Sequence, residues 1–197
     1  MAWYPHARQR PLRFAASMPM RIPVRAVELH TNGGGKDLYD WFNRSGNNIA
    51  SHFQVFADGT CEQYIDTCRE AYAAFASNRY AIQIETEDDG HPELPWTAAQ
   101  VAKIVAICRW TGVPAKLLAD GPSDGVGWHE QYRDNNRSGH DCPGKMRVAQ
   151  IHHEIIPALA RPVAKPTPPR EPKPSAPKIS WLRFLATLRR WMKSHGK

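Results

Sequence analysis

Three side chains along this sequence could together bind and use a metal ion. His30 ends an apolar run, IPVRAVELH, His129 lies in GVGWHEQY, and Cys142 lies in HDCPG. A hydrolytic zinc site needs three protein donors and one position left for water. Imidazole and thiolate suit zinc and keep it electrophilic. Taken singly, each residue reads equally well as a solvated or core-satisfied side chain, since the chain has nine histidines and four cysteines. A strand-end histidine, a loop histidine and a cysteine near a helix start could converge at one edge of a sheet. His140, two residues before Cys142, is the rival donor, and Asp141 a weaker one.

A fourth residue of interest is Glu85, in AIQIET. Strand alternation puts it in phase with Gln83 and opposite Ile82 and Ile84, so it can face a cleft while the isoleucines face the core. It reads alternatively as a salt-bridged strand-end acid.

The elements that must position these groups follow in order. Residues 22–30 read as a strand through the apolar alternation at Val24 and Ala26, followed by the permissive loop TNGGGK. Asp37 to Arg44 spaces Leu38, Trp41 and Phe42 as a helix does. SHFQVFA and TCEQYID flank Asp58-Gly59, a two-residue hairpin signal. Residues 81–86 form another strand. Thr97 opens a helix with Gln100 completing a capping box, Val101, Ile104, Val105 and Cys108 as its apolar face, and Gly112 as its stop. A last domain helix runs from about Lys145 to Ile156 and ends at Pro157. The fold class expected is α/β: a single domain with a central mixed β-sheet flanked by helices.

Around it the chain divides into a basic leader over 1–22 that packs on the domain, the domain itself over 23–160, a linker over 161–178 and a tail over 179–197. Seven of the 17 prolines fall between Pro162 and Pro177, which makes the linker extended and stiff. In the tail, Trp181, Leu182, Phe184, Leu185, Leu188, Trp191 and Met192 share one helical face, and Arg183, Arg190 and Lys193 lie opposite. That is a short basic amphipathic helix, suited to an anionic polymer or a membrane surface. The net charge of +7 agrees, without choosing among polyanions. Nucleic acid is not expected, because zinc-finger spacing and an interleaved aromatic-basic motif are both missing. No stretch approaches the roughly 20 apolar residues that span a bilayer. The N-terminus lacks a signal peptide's apolar core, so synthesis in the cytoplasm is expected. Cys61, Cys68 and Cys108 read as small buried apolar residues.

Joined motifs sharpen this reading. AVELHTN (26–32), IASHFQVFADGTCEQYID (49–66), AYAAFASNRYAIQIET (71–86), WTAAQ (96–100), GVGWHEQY (125–132) and HDCPG (140–144), in this order, resemble the zinc-dependent N-acetylmuramoyl-L-alanine amidase family that contains phage lytic amidases and peptidoglycan recognition proteins. WYPHA and SHFQV look like lysins of actinobacterial phages. The resemblance covers roughly residues 3–160 and leaves the tail unexplained. It implies hydrolysis of the amide between N-acetylmuramic acid and L-alanine, with Zn2+ as cofactor and bacterial peptidoglycan as partner. The enzyme would be a monomer made in a host cytoplasm and acting on the wall after release. A phage endolysin and a host autolysin both fit, and the alternative function is a non-catalytic peptidoglycan-binding module of the same fold. His30, His129 and Cys142 match the family's three ligands, and Glu85 matches a glutamate near the metal water. Two departures stand out: Ser51 replaces a tyrosine thought catalytic in some members, and His140 replaces a common lysine. Proton transfer then falls to Glu85, with His140 assisting the oxyanion if suitably protonated. His52 is read as a support for the site or a buried structural histidine, and Ala73 stands where relatives often have histidine.

Overall fold

The computed structural model describes residues 2–23, 25–34, 37–44, 49–135, 139 and 141–162. The described residues belong to one compact unit that ends at Pro162. The linker and tail expectations therefore lie outside the described residues, as do those for Val24 and His140.

Six strands make one mixed sheet: β1 (Arg8–Gln9), β2 (Ala26–Leu29), β3 (Phe53–Val55), β4 (Cys61–Gln63), β5 (Ala81–Thr86) and β6 (Gly125–Trp128). Their order is β1-β4-β3-β5-β2-β6. The four strands β3, β5, β2 and β6 run parallel, and β4 returns antiparallel to β3. Parallel strands in register point equivalent side chains to one side. Val27, Ile82 and Val126 thus share a face with Leu29, Ile84 and Phe53, and all six are buried in the main apolar core. The other face carries Glu28 and Gln83 in one row.

Helix α1 (Leu38–Phe42) starts where the Asp37 side chain accepts from the Tyr39 amide. Helix α2 (Ala98–Thr111) has the expected capping box at Thr97 and Gln100 and ends at Gly112 in the left-handed region. Its Val101, Ile104, Val105, Ile107 and Cys108 close the apolar face of the sheet. Helices α3 (Lys145–Gln150) and α4 (Ile156–Ala160) are joined by a π turn, Ile151–Ile155. Pro157 does not end this run. The Ile156 amide bonds to Ile151 O, five residues back, and this shift of register lets a residue without an N–H sit in the first turn of α4.

Two other expectations change. The β3–β4 connection is a three-residue loop rather than a two-residue turn: Gly59 N donates to Phe56 O, and Phe56 N to Thr60 O. Only Gly59 there has positive φ, at 82°. A Cβ on it would meet Ala99 O at 2.9 Å, so the loop seats against the start of α2. The leader is also part of the sheet and core. It supplies β1, Tyr4 packs in the main core, and Leu12, Ala15 and Met18 fill a second core with Phe42, Tyr64 and Ile65. Cys61 and Cys108 are buried, whereas Cys68 is half-buried. Among the described residues no helix is long and apolar enough to cross a membrane.

Candidate metal and hydrolytic site

Strand register explains why distant residues meet. Leu29 pairs with Trp128 across β2 and β6, and with Ile84 across β2 and β5. The next residues on these three strands are His30, His129 and Glu85. His30 continues the ladder for one more step, with its N–H on Ile84 O at 2.9 Å and its carbonyl accepting from Thr86 N at 3.1 Å. Cys142 arrives from the turn before α3, where Gly144 is the N-cap at φ +100°. A Cβ at Gly144 would lie 2.6 Å from Pro92 O, so only glycine allows this approach.

One donor atom from each of His30, His129 and Cys142 lies within 4.8 Å of the others, and all three residues are buried. The two Nδ1 atoms are 3.2 Å apart, and Cys142 Sγ is 3.9 Å from His30 Nδ1. At bond lengths of about 2.1 Å to nitrogen and 2.3 Å to sulfur, tetrahedral donors to zinc stand about 3.4 Å (N to N) and 3.6 Å (N to S) apart. The spacing fits such an ion. Burial, and then the carboxyls of Glu85, Glu28 and Glu130, push the Cys142 thiol well above its ordinary range. A bound cation is what would make it a thiolate.

Glu85 is half-buried, and its Oε2 is enclosed without a hydrogen-bond partner among the described residues. Burial, with Asp88 adding repulsion, lifts its carboxyl to about 8. It is thus poised to hold or release a proton near neutral pH. Ser51 does not share that setting. Its hydroxyl is fully buried and donates to Phe53 O at 2.9 Å.

His52 is a structural residue. Its backbone N–H donates to Gln83 O, its Nδ1 accepts from Gln83 N at 2.9 Å, and its Nε2–H donates to Arg69 O at 2.9 Å. Burial pushes its pKa down to about 3, so the ring stays neutral while it pins β5.

Several supporting residues were not foreseen. Glu28 is fully buried beneath His30, and burial, opposed by hydrogen bonds from Ser77, Gln83 and Asn135, lifts it to about 7. The signal available was an acid two residues before His30 on one strand face. Asp88 ties the loop after His30 to the end of β5, accepting from Thr31 Oγ1 at 2.6 Å and from the Gly33 and Gly34 amides at 2.9 Å. Against its burial, these bonds and one from Gly90 hold its carboxyl below the usual range. Buried Arg147 of α3 donates to Thr31 Oγ1, and to Leu94 O at 3.0 Å.

A cleft of about 310 Å³ begins two residues beyond His30, lined by Asn32, Gly33, Gly34 and, across it, Leu38, Trp41 and Arg44. A larger cavity of about 690 Å³ beside the β3–β4 loop, lined by Arg8, Asp58 and Glu87 among others, contains none of the donor residues.

A mixed sheet that gathers two imidazoles and a thiol at the ends of its parallel strands, beside a carboxyl of raised pKa, defines a domain built around one metal-sized donor set. The family model described as N-acetylmuramoyl-L-alanine amidase matches residues 20–145, well over half the chain, and the chain belongs to that family. No curated protein matches it in sequence. Among solved structures it is similar to the N-acetylmuramoyl-L-alanine amidase LysC from Clostridium intestinale URNW, with 16% identity, a TM-score of 0.60, and 77% of this chain and 98% of that one covered. PlyL is similar at 15% identity and a TM-score of 0.57, covering 78% and 96% of the two chains. Peptidoglycan recognition protein-LE, solved with tracheal cytotoxin, is similar at 17% identity and 0.56, covering 76% and 94%. At these identities the likeness establishes the fold, and it is the α/β fold expected.

Proposed function

We propose that this chain is a zinc-dependent N-acetylmuramoyl-L-alanine amidase that hydrolyses the bond between N-acetylmuramic acid and L-alanine of peptidoglycan. We propose further that it serves as a phage endolysin, made in the host cytoplasm and acting on the wall after release. The observation that carries the reading is the buried cluster of His30, His129 and Cys142 with Glu85 one register step away, in a chain of this family.

His30, His129 and Cys142 would hold the zinc. When bound, the ion supplies Lewis-acid polarisation of the amide carbonyl and a water of lowered pKa. Glu85 takes a proton from the attacking water and delivers it to the departing L-alanine amine, so its charge returns to the starting state. His140 assists the developing oxyanion. The cleft along Asn32–Gly34 and α1 receives the muropeptide, with Trp41 offering an exposed ring and Arg44 a cation to its carboxylates. The basic tail over 179–197 holds the enzyme on anionic wall polymer or membrane surface.

Clearing of purified sacculi tests the reading. Activity should vanish on chelation and return with added zinc, at about one zinc per chain. Clearing that survives exhaustive chelation would remove the metal from the mechanism.

A further inference from the structure

We propose that Arg147 is a positioning residue for the metal site: through Thr31 it seats the Cys142 sulfur beside His30, so that sulfur and imidazole meet one ion. The inference rests on the metal-site reading above. It concerns where the sulfur stands, not the protonation of any group.

Cys142 reaches the site on a turn, and a turn alone does not fix its distance from the strand ends. Two backbone amides dock it. Its carbonyl accepts from the Glu130 amide at 3.4 Å, and its sulfur accepts from the Thr31 amide. The second bond follows from strand alternation. The His30 and Asn32 amides both turn to β5, onto Ile84 O and Thr86 O, so the Thr31 amide between them turns to the opposite side. The neighbour on that side, β6, ends at Trp128, and beyond it the sulfur takes the amide.

Thr31 is itself clamped by its hydroxyl. Arg147 Nη1 donates to Thr31 Oγ1. A guanidinium cannot accept, so the hydroxyl proton goes to the other neighbour, Asp88 Oδ2, at 2.6 Å. Both Asp88 oxygens also accept from backbone amides, those of Gly33, Gly34 and Gly90. Every direction in the clamp is thus set by groups that can only donate.

The other arms of Arg147 hold a second piece of backbone. Nε reaches Leu94 O at 3.0 Å, and Nη2 reaches His91 O at 3.4 Å. The same loop meets Gly144, beside the Cys142 turn, at Pro92 O. One side chain therefore joins the end of β2, the 91–94 loop and α3, whose first residue, Lys145, follows that turn. Arg147 is only 2% exposed. A guanidinium at that depth costs free energy that an apolar side chain of similar volume would not. What the planar fork adds is donors in three fixed directions, which neither lysine nor methionine can supply.

The test uses the full-length protein loaded with cobalt(II), whose thiolate charge-transfer band reports sulfur ligation. Cys142→Ser should lack the band and so assigns it. At saturating cobalt, Arg147→Met should keep bound metal but lose the band. In competition against a chromogenic chelator it should bind zinc about 10–100-fold more weakly, the scale for losing an outer partner of a metal ligand. Thr31→Val removes the clamped hydroxyl and keeps the strand amide. It should move both readouts the same way, and it carries the test if Arg147→Met fails to fold. Thr97→Ala weakens the start of α2 and touches none of these groups, so its band should be unchanged, which separates positioning from loss of stability. A wild-type band in every clamp variant that folds would overturn the inference, whatever the zinc affinity. A wild-type protein that binds no cobalt, or binds it without the band, would instead refute the metal-site reading.

Discussion

Replacing Glu85 by glutamine should make the metal-free protein more stable and the enzyme far slower. Burial and Asp88 lift the Glu85 carboxyl from 4.5 to about 8. A carboxyl whose pKa rises on folding destabilises the fold wherever the unfolded chain would be ionised. The penalty is absent below 4.5, grows as pH climbs from 4.5 to 8, and is constant above that. Each unit of pH inside the window costs about 1.4 kcal/mol. Glutamine keeps the shape without the proton equilibrium. The unfolding free energy of Glu85→Gln minus that of wild type should therefore widen by about 2 kcal/mol between pH 5 and pH 7. Glu28 also titrates in this range, but it is common to both proteins and cancels in the difference. Urea unfolding in chelator, at several pH values, measures the gap. In the zinc-loaded enzyme the same substitution should leave metal content intact and cost on the order of 10²–10⁴-fold in rate, the scale of general acid–base help. A gap that stays flat with pH would refute the buried-carboxyl argument, and a fast Glu85→Gln enzyme would move proton transfer to another group.

Other outcomes follow from the same geometry. His30→Ala or His129→Ala should abolish zinc binding and turnover together, read by metal analysis and sacculus clearing; full zinc content in either would break the ligand assignment. Ser51→Ala should leave the rate nearly unchanged, because its hydroxyl serves Phe53 O, while thermal unfolding should show a loss of about 1 kcal/mol for the buried hydrogen bond. Thr97→Ala should cost about 1–2 kcal/mol in urea unfolding, since its hydroxyl both caps α2 and holds Ala57 O at 2.7 Å. Truncation after Ala160 should spare hydrolysis of soluble muropeptides but weaken whole-cell lysis, most visibly at low salt, where attraction to anionic surfaces is strongest; equal lysis would leave the tail without that role.

What could be read from sequence was governed by how local each signal is. The capping box at Thr97 and the left-handed stop at Gly112 are short-range chemistry, and both are where the spacing placed them. The alternation that sends Ile82 and Ile84 inward also put Gln83 and Glu85 on the site face. By contrast, the leader's burial depends on partners more than 50 residues away, such as Glu62 and Gln63 of β4, which no local pattern reveals. The π turn ahead of Pro157 is a register shift that the proline rule alone cannot anticipate. The hydrogen-bond network beneath His30 was hidden for the same reason. Ser77 and Asn135 look like ordinary loop residues until the fold brings them onto Glu28. Arg147 likewise lies on a helix whose buried side only tertiary packing defines.

The central claim is which bond is cut, and mass spectrometry of digested peptidoglycan addresses it most directly. Sacculi treated with the zinc-loaded full-length protein should yield intact glycan strands and free stem peptides carrying new L-alanine amino termini, with no new reducing sugar ends. New reducing ends without free L-alanine termini, or no cleavage at all by a zinc-loaded and folded protein, would contradict it.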